Sequence, residues 1–178
     1  MSKKIKDILL CAIFASLTAI FSIISVPLPF TPIPINLAII SVFLSGGLLG
    51  SKLGSISQII YVILRIIGIP LFSGISGGIG LIYSPTGGYV ISYIICAGIV
   101  GLVLEKSNQS VFIYFLSMIS GLIICYVFGT LWFMLITKSN FINALILCIS
   151  PFIIADIFKI IISTSLLWKL KPLLKNKI

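Results

Sequence analysis

The sequence predicts an all-α integral membrane protein, with six transmembrane helices in one bundle and long irregular outer loops after helices 1 and 3. Three observations support this fold class. Of the 178 residues, 60% are apolar and only 8% are charged, whereas roughly a quarter of the residues in a soluble domain are charged. The apolar residues form runs long enough to cross a bilayer. The charged residues lie mostly between these runs.

Six apolar runs are the predicted spans of a single domain that covers residues 1–178. They are residues 8–26, 36–50, 54–68, 87–104, 111–136 and 151–168. The second and third runs are shorter than the ~20 residues of a usual spanning helix. The first run follows three lysines and resembles a signal peptide. Because it lacks a small-x-small cleavage site and leads into five more spans, we interpret it as an uncleaved helix.

The positive charges predict the orientation in the membrane. With six spans and a cytoplasmic N-terminus, the outer loops hold only Lys138. The cytoplasmic side then collects Lys3, Lys4, Lys6, Lys52, Lys106, Lys169, Lys171, Lys175 and Lys177. This is the positive-inside pattern, with both termini in the cytoplasm. Attraction to anionic lipid accounts for the net charge of +9, so we expect membrane lipid and no nucleic acid as the partner of these lysines.

The loops after the first and third spans have unusual compositions. Residues 26–36 contain four prolines, which exclude helix and favour a stiff, extended cover at the outer surface. Residues 68–89 contain seven glycines among apolar side chains that favour burial. Glycine lets a ligand approach main-chain groups closely, and irregular backbone at membrane depth persists only against protein or a polar cavity. We therefore expect the glycine-rich loop to border a ligand pocket.

The last span carries the most informative pair of residues. Asp156 and Lys159 are three positions apart in an otherwise uncharged run, so they share one helix face. A charge in hydrocarbon costs about 2.5–3.5 kcal/mol on insertion scales, and such residues are read as functional by default. Ser150 and Pro151 predict the outer start of this helix, which places the pair roughly 8–12 Å below that end. We expect an outward-facing pocket, and the alternative is an ion pair that only joins helices.

The chemistry of the pair predicts the kind of ligand. A carboxylate accepts N–H donors, whereas an ammonium group pairs with an anion or a carbonyl oxygen. A small neutral or singly anionic molecule with both donors and acceptors fits this pair. Six aromatic residues are candidates for the apolar walls: Phe30, Phe72, Tyr83, Tyr89, Phe152 and Phe158. Arg65, the other charge within a span, is expected to extend to the outer interface, with direct ligand contact as the alternative.

The composition excludes several kinds of chemistry. The chain has no histidine, so imidazole metal ligation and Ser-His or Cys-His catalysis are absent. One buried carboxylate leaves no general acid/base pair. The four cysteines are isolated, and we expect them to be small buried residues rather than a disulfide framework or a zinc site: Cys11, Cys96, Cys125 and Cys148. We expect no enzyme, no metal and no cofactor, although a membrane-embedded enzyme acting on lipid and a purely structural subunit are the alternatives from other classes.

Five motifs, taken together, resemble the BioY family, the biotin-capturing membrane subunits of energy-coupling factor (ECF) transporters. They are PFTPIPI at 29–35, GIPLF at 68–72, GGIG at 77–80, SPTGGY at 84–89 and PFIIADIFK at 151–159. The motifs occur in order and at matching spacing over nearly the whole chain. The resemblance implies a six-helix subunit of the bacterial plasma membrane that holds biotin near the outer face. It implies as partners a transmembrane coupling protein and two cytoplasmic ATPases.

The resemblance also implies a binding site. We expect Asp156 to accept the ureido N–H groups of biotin and Lys159 to pair with a ligand oxygen, or the two to exchange ends. The remaining expected binding residues are Asn36, Phe72, Gly77, Gly78 and Tyr89. Ala38 stands where the family commonly has glutamine, so we expect Asn36 to serve instead. Capture of another small vitamin, such as thiamine or riboflavin, is the alternative within transport.

The first span carries a stripe of small residues that lets another helix approach closely. The stripe consists of Ala12, Ala15, Ser16 and Ala19. In the BioY family such a stripe resembles the docking face for the coupling protein. The alternative is internal packing within the bundle.

Overall fold

The computed structural model describes residues 2–68, 78–81, 83–108 and 110–175. Within these residues the helices are α1 (Lys3–Ile23), α2 (Ala38–Ile67), α3 (Gly87–Lys106), α4 (Val111–Thr137), α5 (Phe141–Cys148) and α6 (Ile153–Lys175). Two strands, β1 (Ser25–Leu28) and β2 (Thr31–Asn36), connect α1 to α2. Four of the described helices are long and apolar enough to cross a membrane, and the bent pair α5–α6 makes a fifth candidate. The predicted all-α membrane fold class is confirmed.

Helix α2 consists of two arms that turn back on each other at Gly50. The backbone of Gly50 has φ +84° and ψ 178°, a conformation that glycine adopts without steric penalty. A Cβ at Gly54 would lie 2.8 Å from the Cα of Gly46, although a continuous helix would separate these residues by about 12 Å. Residues 38–49 and 51–67 therefore run in opposite directions. They correspond to the short second and third spans of the sequence analysis.

Glu105, near the end of α3, caps the second arm of α2. Its carboxylate accepts from the Ser51 backbone N–H at 2.6 Å and from the Ser51 hydroxyl at 2.9 Å. The first N–H groups of a helix lack intrahelical partners and carry the positive end of its dipole. Gly101 allows the close approach, because a Cβ there would lie 2.3 Å from the Ser51 nitrogen. The turn at Gly50 is thus fixed against α3.

The proline-rich segment forms a two-stranded antiparallel hairpin. Ser25 pairs with Asn36, and Leu28 pairs with Thr31. The predicted extended backbone is confirmed, but the prediction of an irregular loop after helix 1 is wrong. Proline lacks the N–H that a ladder needs, yet the remaining residues supply enough pairing, and the Thr31 hydroxyl donates to the Leu147 carbonyl at 2.9 Å. The hairpin is therefore fastened to the end of α5.

A buried polar network joins α1 to both arms of α2. The Gln58 amide is fully buried and donates to the Ser45 hydroxyl at 3.0 Å and the Thr18 hydroxyl at 3.3 Å. Thr18 in turn donates to the Phe14 carbonyl of its own helix at 2.8 Å. Polar groups in hydrocarbon need such partners. The network holds α1 on the side of the bundle, where α2 is its main neighbour.

Helices α5 and α6 differ from the prediction of one span that starts at residue 151. Asn140 begins α5, because its side-chain oxygen accepts from the Asn143 backbone N–H at 2.9 Å. The chain then turns at Ile149, whose carbonyl accepts from the Phe152 N–H at 2.9 Å. Helix α6 begins at Ile153, two residues later than predicted. The bend between α5 and α6 is 49°.

Candidate functional site

One end of the bundle encloses a cavity of about 280 Å³. This volume is close to the lower end of the range for small-molecule pockets, roughly 300–1,000 Å³. The cavity lies where α1 ends and α6 begins, and the hairpin covers it. The polar residues among its lining are Ser22, Ser25, Asn36, Arg65, Ser84, Thr86, Tyr89, Tyr93, Tyr126, Asp156 and Lys159. Such convergence of polar side chains within an apolar bundle marks the candidate ligand site.

Asp156 and Lys159 lie together on the cavity wall. The Lys159 ammonium donates to Oδ1 of Asp156 at 2.7 Å, and each residue is only 6% exposed. On the opposite carboxylate oxygen, Oδ2, the Tyr126 hydroxyl donates at 2.7 Å. Asp156 is in the first turn of α6, where the positive end of the helix dipole stabilises a carboxylate. The prediction that the pair shares one helix face is confirmed.

Arg65 lies on the cavity wall, in the last turn of α2. Its guanidinium donates to the Tyr61 hydroxyl at 2.6 Å. The guanidinium carbon is 6.0 Å from the centroid of the Tyr61 ring. The hydrogen bond to the hydroxyl accounts for this distance. We therefore interpret the contact as a hydrogen bond rather than a face-on cation–π interaction. Tyr61 lies one turn earlier on the same helix and holds the guanidinium inside the bundle.

The charges of the described residues that line the cavity do not balance. Lys159 pairs with Asp156, whereas Arg65 makes no ion pair with a described carboxylate. The Arg65 Nε is buried and has no hydrogen-bond partner among the described residues. The cavity therefore holds two cationic groups and one carboxylate, an arrangement that favours a ligand with one negative charge.

Asn36 reaches the cavity from the end of β2. Its side-chain oxygen accepts from the Ala38 backbone N–H at 3.1 Å. Because the oxygen is engaged, the amide NH2 of Asn36 is the group left to donate to a ligand. Ala38 is fully buried in the core and is not among the cavity-lining residues. Asn36, and not Ala38, therefore supplies the polar group at this point of the cavity wall.

Tyr89 forms an apolar wall of the cavity with a fixed orientation. Its hydroxyl donates to the Cys148 carbonyl at the end of α5, at 2.9 Å. Its ring fits against Gly129 of α4, where a Cβ would lie 2.3–2.5 Å from three ring carbons. Gly129 therefore makes the space that the Tyr89 ring occupies. Phe152 also lines the cavity, as expected, and is 6% exposed.

Three of the aromatic residues expected at the walls lie elsewhere. Phe30, Tyr83 and Phe158 are mostly exposed and are not among the cavity-lining residues. Phe158 follows Asp156 by two positions, so the two side chains leave the helix on different faces. Phe30 lies at the turn of the hairpin.

The glycine-rich segment is described only in part. Phe72 and Gly77, which were expected to bind the ligand, lie outside the described residues. Gly78 has φ +94°, and its N–H donates to the Arg65 carbonyl at 2.9 Å. Gly78 is not among the cavity-lining residues, so its role within the described structure is to attach this segment to the end of α2.

Sequence reasoning missed several cavity residues, among them Tyr93 and Tyr126. Both lie within long apolar runs, where a tyrosine is an ordinary packing residue. The position of each tyrosine in the sequence could have indicated its role, because each lies well inside its span rather than at the interfacial ends that tyrosine prefers. A hydroxyl at that depth needs a partner, which for Tyr126 is Asp156.

The small-residue stripe of α1 divides into two rows. Ala15 and Ala19 are buried, with 1% and 9% exposure, and pack in the core. Ala12 and Ser16 are exposed. The internal-packing alternative therefore describes Ala15 and Ala19, and only Ala12 and Ser16 are available to a second protein.

The fold and the site together define a multi-pass membrane protein with a cavity lined by polar side chains at one end of an apolar helix bundle. The chain belongs to the BioY family, which matches residues 1–176. The resemblance found in the motifs is thereby confirmed.

Individual relatives and one solved structure agree with this family. The chain is 40% identical to the probable biotin transporter BioY of Pyrococcus horikoshii, over 88% of this chain and 90% of that protein. It is 31% identical to the biotin transporter BioY of Thermotoga maritima, over 94% and 97% of the two chains. A crystal structure of the S-component for biotin from an ECF-type ABC transporter superposes with a TM-score of 0.88 and 27% identity, covering 97% of this chain and 95% of that one.

Proposed function

We propose that this protein captures biotin from the outer side of the plasma membrane as the substrate-binding subunit of an ECF transporter. The observation that carries the proposal is the set of polar groups in the cavity: a carboxylate, two cationic groups and an amide donor. Biotin carries the complementary groups, which are two ureido N–H donors, a ureido oxygen and a carboxylate on an apolar body. The biotin transporters among the relatives support the same ligand.

The hydrogen bonds and ion pairs that the polar groups of the cavity already make within the protein indicate how biotin is oriented. Asp156 is the only carboxylate among the described residues that line the cavity, so it accepts a ureido N–H group. Lys159 and the Asn36 amide donate to the ureido oxygen from nearby. Arg65, which makes no ion pair with a described carboxylate, then pairs with the carboxylate of biotin, and the charges of the cavity balance when the ligand is bound.

The proposed function is tested by equilibrium binding of labelled biotin to the detergent-purified protein. We expect saturable one-to-one binding that unlabelled biotin displaces and thiamine does not. Biotinamide, the neutral amide of biotin, is expected to bind at least about tenfold more weakly, because it forfeits the charge-assisted contact with Arg65. Arg65→Gln should weaken biotin but change biotinamide little. Absence of biotin binding by folded protein would reject this ligand, and displacement by thiamine would favour another vitamin.

The orientation and the partners are a further part of the proposal. The cavity lies at the end of the bundle opposite Lys6, Lys52 and Lys106, which the positive-inside pattern assigns to the cytoplasm. This orientation gives the ligand access from outside and leaves both termini on the cytoplasmic side. A transmembrane coupling protein and two ATPases would supply the energy for uptake. The superposed S-component from an ECF-type transporter supports these partners.

Docking of the coupling protein is assigned to the exposed row of α1. Ser16→Trp is expected to abolish biotin uptake and co-purification of the coupling protein, because the bulky ring blocks close helix approach, while biotin binding is retained. Ile123→Trp on α4, a position that is 53% exposed, serves as the control and should retain all three. Uptake at the wild-type rate in Ser16→Trp would place docking elsewhere. Ala15→Trp cannot test this role, because Ala15 is buried in the core.

A further inference from the structure

Tyr126 connects α4 to the buried carboxylate of α6. Its hydroxyl donates to Oδ2 of Asp156 at 2.7 Å, and Lys159 donates to Oδ1, also at 2.7 Å. The two donors come from different helices and hold different oxygens of the same carboxylate. Tyr126 also lines the cavity. The carboxylate plane is therefore fixed before any ligand enters.

This arrangement limits how the carboxylate meets a ligand. An ionised carboxylate has about four acceptor positions, and Tyr126 and Lys159 occupy one on each oxygen. We propose that Tyr126 is a positioning and specificity-determining residue, whose hydroxyl fixes Asp156 so that an acceptor position left on its oxygens receives an N–H donor of the ligand. The inference rests on the proposed function, because the cyclic urea of biotin carries such a donor.

The hydroxyl also affects which ring the site prefers. By donating to Oδ2, Tyr126 offsets part of the negative charge that Lys159 leaves on the carboxylate. A neutral cyclic urea then suffices as the partner of Asp156. Without the hydroxyl, Asp156 has an additional open acceptor position and a less neutralised charge, and a cationic ring becomes the better partner. Tyr126 therefore favours a urea over a guanidinium.

The test compares Tyr126→Phe with the wild type in binding biotin and 2-iminobiotin, in which a guanidinium replaces the cyclic urea. Tyr126→Phe is expected to weaken biotin about tenfold or more, as for loss of a hydrogen bond to a charged group. The ratio of the two affinities should shift several-fold towards 2-iminobiotin. Tyr114→Phe removes a hydroxyl from the opposite end of α4, away from the cavity, and should leave both affinities unchanged.

The outcomes separate a positioning role from a structural one. Folded Tyr126→Phe that binds biotin within threefold of the wild type, with an unchanged ratio, would overturn the inference. Equal weakening of both ligands would also overturn it, since a mere link between α4 and α6 does not distinguish the rings. If Tyr126→Phe unfolds in detergent, the same ratio is measured in native membranes. If the wild-type protein does not bind biotin in its own titration, the proposed function is rejected rather than this inference.

Discussion

Removing one member of the Asp156–Lys159 pair is expected to abolish biotin binding and destabilise the fold, whereas removing both restores stability but not binding. A charge left without its partner in the interior lowers the free energy of unfolding by up to about 3–5 kcal/mol, while replacing both partners by uncharged groups is often neutral. Biotin affinity should fall roughly 100-fold or more in each single variant, because a buried hydrogen-bonded charge is lost.

The measurements are thermal unfolding and biotin titration of Asp156→Asn, Lys159→Met and the double variant. This set distinguishes a ligand site from an ion pair that only joins helices. Both roles predict that each single variant is impaired. Only the ligand-site role predicts that the stable double variant fails to bind biotin. Binding by the double variant within tenfold of the wild type would show that the pair serves the fold alone. A stable double variant that does not bind supports the role at the ligand.

The spans and the central pair were predictable because they depend on local sequence. Apolar runs set the helices, and three-residue spacing placed Asp156 and Lys159 on one face. The reversal at Gly50 was also predictable, because Gly50 ends the first of two separate apolar runs, 36–50 and 54–68. In each case the relevant contacts lie within about one turn of the chain.

The features that were missed depend on contacts between distant segments. Tyr126 is a site residue only because α4 places its hydroxyl beside Asp156, thirty positions away. Arg65 lies at the cavity because Tyr61 holds it there, and its sequence context alone was equally consistent with an interfacial residue. The division of the α1 stripe follows from the side on which α2 packs, which small-residue spacing does not specify.

Gly129→Ala is expected to weaken biotin binding about tenfold or more, although Gly129 is not among the cavity-lining residues. Its Cβ would lie 2.3 Å from the Tyr89 ring, too close for any real contact. The ring must shift, its hydroxyl then moves away from the Cys148 carbonyl, and the cavity wall is displaced. Overpacking of this kind typically lowers the free energy of unfolding by about 1–3 kcal/mol.

Gly121→Ala is the matched control, because Gly121 also faces α3 from α4. A Cβ there would lie 2.8 Å from Cys96 Sγ and Val100 Cγ2, and neither of these residues lines the cavity. Biotin titration and thermal unfolding of both variants separate packing from site geometry. Gly121→Ala should lose stability and keep its biotin affinity, whereas Gly129→Ala should lose both. Equal affinities in the two variants would mean that the position of the Tyr89 ring does not determine how tightly the cavity holds its ligand.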